Sequence, residues 1–255
     1  MGSGTAPLAL VTGGHRRLGG RIALALAGAG YSLAVHGSHD VGMEPWLSEG
    51  LASAGVDWHG FVADFEQPES AVGLLRAVTG HFGRAPAILV NSAALFGQDR
   101  LEDVTADDLM RHYAVNCAAP VLLTRAFADA GAPASDRCIV NILDQRLSNP
   151  HGDQLSYTLA KQALAGFTRI AARELAGKGI RVNAVAPGLT IATDDYEPAQ
   201  MDRLAALMPL GALPMPDQIA DAVLYLARAQ SVTGQVIAVD AGAHMESYGR
   251  DFMHL

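Results

Sequence analysis

The sequence predicts one α/β domain, built on a doubly wound parallel sheet that is flanked by helices. Short apolar runs alternate with segments of helical spacing along the whole chain, which is typical of consecutive βαβ units. Neither a linker nor an internal repeat interrupts this alternation. The 255 residues are 50% hydrophobic and 17% charged, a composition that suits one large domain with a substantial core.

The first βα unit carries a glycine-containing loop. Leu8 to Val11 is an apolar run suited to a central parallel strand, and the loop TGGHRRLGG, Thr12 to Gly20, follows it. Arg21 to Ala29 then has helical spacing. This order is what a dinucleotide needs, because the free N–H groups of a helix N-terminus face the pyrophosphate. An ordinary tight turn between strand and helix is the alternative.

The second strand, Tyr31 to His36, ends without an acidic residue. In NAD-preferring folds a carboxylate near this point binds the ribose 2′-hydroxyl, but here the first acid is Asp40, somewhat beyond. Arg16 and Arg17 lie in the preceding loop. A missing carboxylate and nearby arginines favour the 2′-phosphate of NADPH over NADH.

Histidines at this strand tip do not predict a metal site. His36 and His39 are read as surface histidines, because the chain offers no Cys, His and Asp at ligand spacing. The prediction for metals is therefore none.

The third unit leaves the role of Asp64 open. Glu44 to Ala54 is a predicted helix, and Val56 to Val62 is a predicted strand that leads into Asp64. Asp64 either meets the adenine at the end of the strand or caps the predicted helix Pro68 to Val78.

Another buried strand, Ala87 to Val90, precedes the loop NSAALF, residues 91–96. Small side chains in this loop let the backbone approach a flat ligand. Phe96 follows on the same loop, and an aromatic ring there stacks on a heterocycle. A phenylalanine folded back onto the core is the alternative.

Ala106 to Asp129 has the spacing of a long helix with a kink. Asn116 in its middle is unfavourable by helix propensity, and Pro120 is costly in a helix interior. The pair indicates a local distortion that places a polar group. An asparagine satisfied by solvent is the alternative.

The next strand, Arg137 to Leu143, delivers Asp144 at its carboxyl end, where ligands of open α/β sheets bind. Tyr157 and Lys161 open the long predicted helix Tyr157 to Ala176. Four residues make about one turn, so the two side chains share a face, and the cation favours the phenolate and lowers its pKa. Such a tyrosine can pass a proton to a substrate. A solvated pair without chemistry is the alternative.

The last third is predicted to finish the sheet. A polar, proline-containing segment, residues 189–213, is predicted as a mobile substrate loop because it follows a strand end. Its remaining elements are a strand at Ile180 to Val185, a short helix near Ala199 to Met208, a helix Gln218 to Ala227 capped by Asp217, a strand at Gln235 to Asp240, and a tail from Ala241 to Leu255.

Charge and cysteine usage exclude several classes of function. The formal net charge is −8, whereas a nucleic-acid surface would be basic. No apolar stretch approaches the length of a membrane span, and the first apolar run reads as a buried strand rather than a signal peptide. Cys117 and Cys138, the two cysteines, do not make a disulfide framework and indicate a reducing compartment.

Five elements in a fixed order identify a family resemblance. They are TGGHRRLG at residues 12–19, NSAA at residues 91–94, Asn116, Tyr157-x-x-x-Lys161, and VNAVAPG at residues 182–188. In this order, over nearly its whole length, the chain resembles the short-chain dehydrogenase/reductase family. The resemblance implies a single Rossmann-type domain over residues 1–255.

Two departures narrow the resemblance to one branch. Arg17 stands where the family usually has glycine, and Asp144 stands thirteen residues before Tyr157, where it usually has serine. Both features resemble the pteridine reductase branch, which includes bacterial dihydrofolate- and dihydromonapterin-reducing enzymes. That branch also stacks the pterin between the nicotinamide and a phenylalanine, a position similar to that of Phe96. Ser92 departs from the usual asparagine.

The resemblance implies NADPH-dependent reduction of a C=N bond in a pterin-like substrate. Tyr157, or the Asp144–Tyr157 pair, protonates the nitrogen, Lys161 lowers the tyrosine pKa and holds the nicotinamide ribose, and Asn116 orders water that feeds Lys161. Implied cofactor contacts are Gly13, Arg16, Arg17, Leu18, Gly19, His36, Gly37, Ser38, Asp64, Phe65, Asn91, Ser92, Ala93, Tyr157, Lys161, Pro187 and Gly188. Implied substrate contacts are Arg17, Phe96, Asp144, Tyr157 and Leu189.

The resemblance also implies a cytoplasmic homotetramer. Small residues on one side of the long helix, Ala163, Ala165 and Gly166, suit close packing between subunits. Two other functions stay open. One is a carbonyl or alcohol oxidoreductase of the same family that has lost its serine, and the other is a non-catalytic NADPH-binding scaffold or sensor.

Overall fold

The central layer of the molecule is a parallel sheet with strand order β3-β2-β1-β4-β5-β6-β7. The computed structural model describes residues 6–40, 42–131, 136–191 and 196–255. The order reverses between β1 and β4, and the predicted doubly wound α/β fold is confirmed. The strands are β1 Leu8–Val11, β2 Ser32–Gly37, β3 Trp58–Val62, β4 Ile88–Asn91, β5 Arg137–Ile142, β6 Ile180–Pro187 and β7 Val236–Val239.

Helices cover both faces of this sheet. They are α1 Arg17–Gly28, α2 Pro45–Ala54, α3 Ser70–Phe82, α4 Ala106–Tyr113, α5 Ala119–Asp129, α6 Leu155–Leu175, α7 Pro198–Leu207 and α8 Pro216–Arg228. Short 3₁₀ helices span Gln145–Leu147, Ala176–Lys178, Ala243–Met245 and Phe252–His254.

Alternate residues of each strand fill two separate cores. On one face Leu10 packs with Leu123 and Phe127 of α5, and on the other Val11 packs with Ile22 of α1 and Val223 of α8. Because both faces are covered, the central strands β1 and β4 are fully buried and almost entirely apolar, as parallel strands are. The carboxyl ends of the strands therefore meet at one edge of a rigid scaffold.

The predicted kink in the long helix is confirmed. Residues Ala114–Ala118 form a π-helical turn between α4 and α5, and Asn116 lies in it. Pro120 falls in the first turn of α5, where a missing N–H costs nothing. The π turn is the distortion that brings a buried polar side chain toward the strand ends.

Three predictions about element boundaries are wrong. Helix α1 begins at Arg17 rather than Arg21, because the glycines of the loop pack closely enough to be wound into its first turn. Asp217 is not a cap: Met215 is the N-cap of α8, and Pro216 starts the helix ahead of Asp217. The end of the chain is not a free tail, since Asp251 and Phe252 are buried, and Phe252 belongs to a core cluster with Leu204 of α7.

The predicted substrate loop is described only in part. Residues 192–195 lie outside the described residues, and α7 occupies the centre of the segment. The mobility of residues 189–213 stays a prediction.

Candidate active site

A cleft of about 590 Å³ opens at the carboxyl ends of the strands. It runs from the loop after β1, across the ends of β4 and β5, to the C-terminal residues. Among the predicted site residues, those that line it are Gly13, Arg16, Arg17, Leu18, Gly19, His36, Gly37, Ser38, Asp64, Phe65, Ser92, Ala93, Phe96, Asp144, Tyr157, Lys161, Pro187, Gly188 and Leu189. Asn91 and Asn116 lie behind the cleft wall.

The glycine loop forms a cradle in which a side chain has no room. Gly13 has a φ of +63°, and a Cβ there would lie 2.8 Å from Cα of Ala93. A Cβ on Gly19 would lie 2.1 Å from the carbonyl oxygen of Gly13. The Thr12 hydroxyl accepts hydrogen bonds from the N–H groups of Ser92 and Ala93 at 3.0 and 3.1 Å. The glycine loop and the loop after β4 therefore pack backbone against backbone. A loop with so little side-chain bulk suits a bound pyrophosphate.

His36 is a buried structural residue of this cradle, and the reading of His36 as a surface histidine is wrong. Its Nδ1 accepts from the N–H of Gly13 at 3.2 Å, so Nε2 carries the proton and donates to the carbonyl of Ala63 at 2.8 Å. The ring stacks on Phe65 with 4.4 Å between centroids. Burial lowers the pKa of His36 to about 4, which keeps the ring neutral.

Exposed cations stand beside the cradle. Arg16 and Arg17 are exposed on the cleft rim with Ser38. Arg17 has a φ of +51°, in the left-handed region, where a residue with a side chain costs about 1 kcal/mol. The carboxylate of Asp40 accepts the N–H of Gly42 at 2.9 Å. This end of the cleft suits an anion such as a phosphate.

Asp64 lies on the cleft and does not cap a helix. Its carboxylate accepts the N–H of Glu66 at 2.9 Å, whereas the N-cap of α3 is Glu69. The cap alternative is therefore wrong, and the adenine contact stays a prediction.

The centre of the cleft holds a tyrosine hydrogen-bonded to an aspartate. Asp144 follows β5, and its Oδ2 accepts from the hydroxyl of Tyr157 at 3.0 Å. Tyr157 is only 6% exposed. Burial, and then the negative charge of Asp144, raise the pKa of Tyr157 well above its ordinary value, and Arg146 opposes that rise. The phenol therefore holds its proton at neutral pH.

Lys161 lies one turn along α6 and is 2% exposed. Its Nζ donates to the carbonyl of Ile142 at 2.7 Å and lies 5.7 Å from the centre of the Tyr157 ring. Burial lowers the pKa of Lys161 to about 8. The expected lowering of the Tyr157 pKa is wrong for this structure, because burial and Asp144 raise that pKa and Arg146 opposes the rise. The role of Lys161 toward Tyr157 stays a prediction.

Phe96 stands over Tyr157 at the mouth of the cleft. It is 50% exposed, and its ring meets that of Tyr157 edge to face at 4.9 Å between centroids. The alternative of a phenylalanine folded onto the core is therefore wrong. An exposed aromatic face above a proton donor suits a planar substrate ring.

Asn91 and Asn116 lie behind the cleft and make structural hydrogen bonds. Asn116 is fully buried and exchanges two hydrogen bonds with the backbone of Leu95, at 3.1 and 2.9 Å, so the solvent alternative is wrong. Asn91 donates to Oδ1 of Asn141 at 2.8 Å, which ties β4 to β5. The catalytic role of Asn116 and the cofactor contact of Asn91 stay predictions.

Two residues of the site were missed from the sequence. Arg146 lies 5.3 Å from the Tyr157 ring centre, and Asp251 binds its guanidinium. The one available signal was an arginine two residues after the strand-end aspartate, Asp144. For Asp251 no local pattern exists, because its partner lies 105 positions away in the chain.

The part of the chain that the structure describes holds neither a metal cluster nor a membrane-spanning helix. There, no three His, Cys, Asp or Glu side chains come together in a way that could hold a metal ion. No helix within the same ranges has the length and apolar character needed to cross a membrane.

The chain is similar to known oxidoreductases along most of its length. Residues 14–244 match the family described as enoyl-(acyl carrier protein) reductase. A 3-oxoacyl-[acyl-carrier-protein] reductase FabG of Pseudomonas aeruginosa is 34% identical over 242 residues, covering 93% of this chain and 97% of that protein. Pteridine reductase 1 of Leishmania tarentolae is 32% identical over 284 residues, covering 94% and 97%.

Among solved structures, the fold matches FolM alternative dihydrofolate reductase 1 from Brucella canis, complexed with NADP. The TM-score is 0.88 at 33% identity, with 96% of both chains covered. The same protein from Brucella suis, also in complex with NADP, gives a TM-score of 0.88 at 33% identity and covers 96% of this chain and 98% of that one.

Proposed function

The chain belongs to the short-chain dehydrogenase/reductase family, and on that premise we propose that it is an NADPH-dependent reductase of a C=N bond in a pterin-like ring. The observation that carries this proposal is the hydrogen bond of 3.0 Å between Tyr157 and Asp144. A carboxylate occupies the place where most of the family has a serine.

NADPH fits the cofactor end of the cleft. The cradle around Gly13 and Gly19 admits a pyrophosphate against bare backbone, and Arg16, Arg17 and Ser38 offer charge and hydrogen bonds to a 2′-phosphate. The similarity to two structures complexed with NADP supports this assignment. When bound, NADPH supplies the hydride that adds to the carbon of the C=N bond.

Tyr157 donates the matching proton to the ring nitrogen. Its phenol holds the proton at neutral pH, and the adjacent Asp144 hydrogen-bonds the hydroxyl and can relay a replacement proton. Lys161, fixed by the carbonyl of Ile142, holds the nicotinamide ribose. Positioned proton transfer of this kind contributes about 10²–10⁴-fold to a rate.

A carboxylate suits a pterin better than a serine does. A serine hydroxyl hydrogen-bonds the oxygen of a ketone or alcohol. The 2-amino-4-oxo ring of a pterin instead presents N–H donors, and Oδ2 of Asp144, which accepts one hydrogen bond from Tyr157, has a second lone pair that can accept such a donor. Phe96 covers the face of such a ring, and Leu189 and Arg17 complete its surroundings.

The test is NADPH oxidation by the purified protein, followed at the NADPH absorbance band. Dihydrobiopterin, dihydromonapterin and dihydrofolate are each compared with a 3-oxoacyl thioester and with simple ketones. Turnover of at least one dihydropterin is expected. Turnover of the carbonyl compounds alone would contradict the proposal.

Carbonyl reduction is the second candidate, favoured by the 34% identity to a 3-oxoacyl reductase. Asp144→Ser separates the two. We expect the variant to lose about tenfold or more of its dihydropterin turnover, because the N–H acceptor is gone, and to gain carbonyl reduction. Asp144→Asn is the matched control, which keeps the shape without the charge. Unchanged pterin kinetics in Asp144→Ser would remove Asp144 from the mechanism.

A non-catalytic NADPH-binding scaffold is the third candidate. The assembled Tyr157, Lys161 and Asp144 argue against it, because a scaffold has no use for a buried proton donor. Tight NADPH binding without oxidation across the whole substrate panel would revive it.

A homotetramer is proposed as the working form. The outer side of α6 carries Leu159 and Ile170, 46% and 63% exposed, beside the small residues Ala163 and Gly166. The edge strand β7 exposes Val236. Light scattering on the purified protein at several concentrations tests this, and a monomer throughout would contradict it.

A further inference from the structure

A buried arginine, Arg146, lies between the catalytic carboxylate and the end of the chain. It is 6% exposed. Its Nε reaches Oδ1 of Asp144 at 3.3 Å, its Nη1 reaches Oε1 of Gln154 at 2.5 Å, and its Nη2 reaches Oδ2 of Asp251 at 2.9 Å. Every arm of the guanidinium therefore has an acceptor.

Arg146 fixes which oxygen of Asp144 faces the tyrosine. Oδ1 accepts the backbone N–H of Arg146 at 2.9 Å as well as its Nε, and Oδ2 is left for Tyr157. Two donors of one residue, the backbone N–H and the Nε of the rigid guanidinium, bind this one oxygen and restrict rotation of the carboxylate. The guanidinium carbon also lies 5.5 Å from the centre of the Phe96 ring, so one side chain touches all three groups around the substrate.

Asp251 holds the other end of the guanidinium and belongs to residues 250–255, here called the C-terminal segment. Its N–H donates to Asp153 at 2.8 Å, and its Oδ1 accepts the N–H of Met253 at 3.0 Å. Gln200 of α7 binds the carbonyls of Phe252 and Met253, both at 3.1 Å. The segment is thereby seated with Phe252 and Met253 on the cleft wall.

Burial makes this arrangement sensitive to either partner. A buried charge is costly unless it is paired. Removal of one partner of a buried pair is strongly destabilising, because it leaves the other charge uncompensated. Arg146 has a carboxylate on each side, so removal of Asp251 leaves Asp144 as its one anionic partner among the described residues. The guanidinium would then shift, and Oδ2 of Asp144 would shift with it.

We propose that Arg146 is a positioning residue for proton delivery, which aligns Asp144 with Tyr157 and is itself held in place by Asp251 of the C-terminal segment. The inference rests on the proposed role of the Tyr157–Asp144 pair as proton donor. It makes the seated end of the chain part of the active site, through an ionic contact as well as through the cleft wall.

The test compares Arg146→Gln, Asp251→Asn and their double variant, assayed on whichever substrate the wild type reduces. Misplacement of a catalytic group by about 1 Å costs roughly 100-fold, so kcat should fall about 10- to 100-fold in Arg146→Gln and less in Asp251→Asn. The KM for NADPH should not change, because the cradle lies at the other end of the cleft. The double variant should be no slower than Arg146→Gln, because both changes break one chain of contacts.

The pH profile supplies a readout that a purely structural role would not move. Charged or titratable groups that face the Tyr157–Asp144 pair are Lys161 of α6, Arg146, His151 and Asp251. Loss of the Arg146 cation raises the pKa of Tyr157 further, so the alkaline limb of kcat/KM should move to higher pH.

Arg100→Gln is the matched control. Arg100 binds Asp153 at 2.9 Å in the same group of ion pairs, but it has no hydrogen bond to Asp144 or Asp251 among the described contacts. Its kcat and pH profile should equal those of the wild type.

Two results would overturn the inference. One is a kcat and a pH profile in Arg146→Gln that both equal those of the wild type. The other is a decrease in kcat in the double variant that equals the product of the decreases in the two single variants. If Arg146→Gln does not fold, Asp251→Asn decides alone, and wild-type behaviour there overturns the inference.

The proposed function fails separately, when the wild type reduces a carbonyl and no dihydropterin, and the same variants then test Arg146 on that carbonyl substrate. If the wild type reduces nothing, crystal structures of the wild type and Asp251→Asn decide. An unmoved Asp144–Tyr157 hydrogen bond in the variant would contradict the inference, and a broken one would support it.

Discussion

The two ends of the cleft are formed by different kinds of chemical group. The cofactor end is made of backbone, with Gly13 and Gly19 in contact distance of neighbouring main chain and a neutral His36 joining two loops. The substrate end is made of charged side chains, with Arg146 between two carboxylates and Tyr157 beside them. Binding at the pyrophosphate cradle therefore depends on close backbone packing, whereas the substrate end depends on electrostatic alignment, and changes at the two ends should have separable effects.

The largest effect is expected at the substrate end. Tyr157→Phe removes the proposed proton donor and keeps the ring against Phe96. We expect kcat to fall about 10²–10⁴-fold, because that is the contribution of positioned proton transfer. NADPH affinity, measured by fluorescence titration, should stay within about twofold. A variant that retained most of its kcat would contradict the assignment of Tyr157.

The second largest effect is expected at the cofactor end, as a loss of unfolding free energy at acidic pH. The pKa of His36 is lowered to about 4 in the folded protein, below its ordinary value of 6.5. Its contribution to stability is therefore full above pH 6.5 and is lost as the pH falls toward 4, to a limit of about 3 kcal/mol. Urea unfolding at pH 7.5 and 5 measures this.

His36→Gln should show a smaller loss of unfolding free energy between these two pH values than the wild type. His39→Gln is the control, since His39 is exposed on the same loop. Equal pH dependence in the wild type and His36→Gln would show that the ring is not held neutral.

The third effect tests whether shape decides cofactor binding. Gly19→Ala places a methyl group 2.1 Å from the carbonyl of Gly13, so the loop must move. Overpacking of this kind costs about 1–3 kcal/mol, and NADPH affinity should fall accordingly. Gly28→Ala is the control, because a Cβ there meets nothing within 4 Å. Equal NADPH affinity in both variants would contradict the backbone cradle.

The smallest effect is expected on NADPH affinity, through the charge of Lys161, which lies between the two ends of the cleft. With its pKa lowered to about 8, Lys161 loses its charge as the pH rises through 8. NADPH affinity should then weaken about threefold to tenfold between pH 7 and 9, since a hydrogen bond from a charged group to the ribose contributes about 1 kcal/mol more than one from a neutral amine. Lys161→Met should abolish that step, and a wild-type affinity that is flat over this range would contradict it.

The same contrast explains what could be predicted from the sequence. The cofactor end was predicted because a backbone cradle needs glycine, and glycines at Gly13 and Gly19 after an apolar run are visible in the chain. The parallel sheet followed from apolar runs alternating with helical spacing. Asp144 was predicted because it stands at a fixed distance from Tyr157.

The substrate end could not be predicted to the same extent. Arg146 and Asp251 meet only in the folded chain, across 105 positions, and the proximity of Arg146 to Asp144 in the sequence does not reveal that contact. The direction of the Tyr157 pKa was also mispredicted, because its spacing to Lys161 says nothing of how deeply burial desolvates the phenol. Residues that interact through charge over long sequence distances have no local signature.

Transfer of deuterium tests the central claim most directly. The protein is incubated with NADPH carrying deuterium at C4 of the nicotinamide and with dihydromonapterin or dihydrobiopterin, and the product is examined by mass spectrometry and NMR. We predict a tetrahydropterin with one deuterium on a ring carbon of the former C=N bond, and at least about 10-fold less of it with Asp144→Ser. A parallel incubation contains a 3-oxoacyl thioester in place of the pterin. Deuterium found only in the alcohol formed from that thioester would contradict the account.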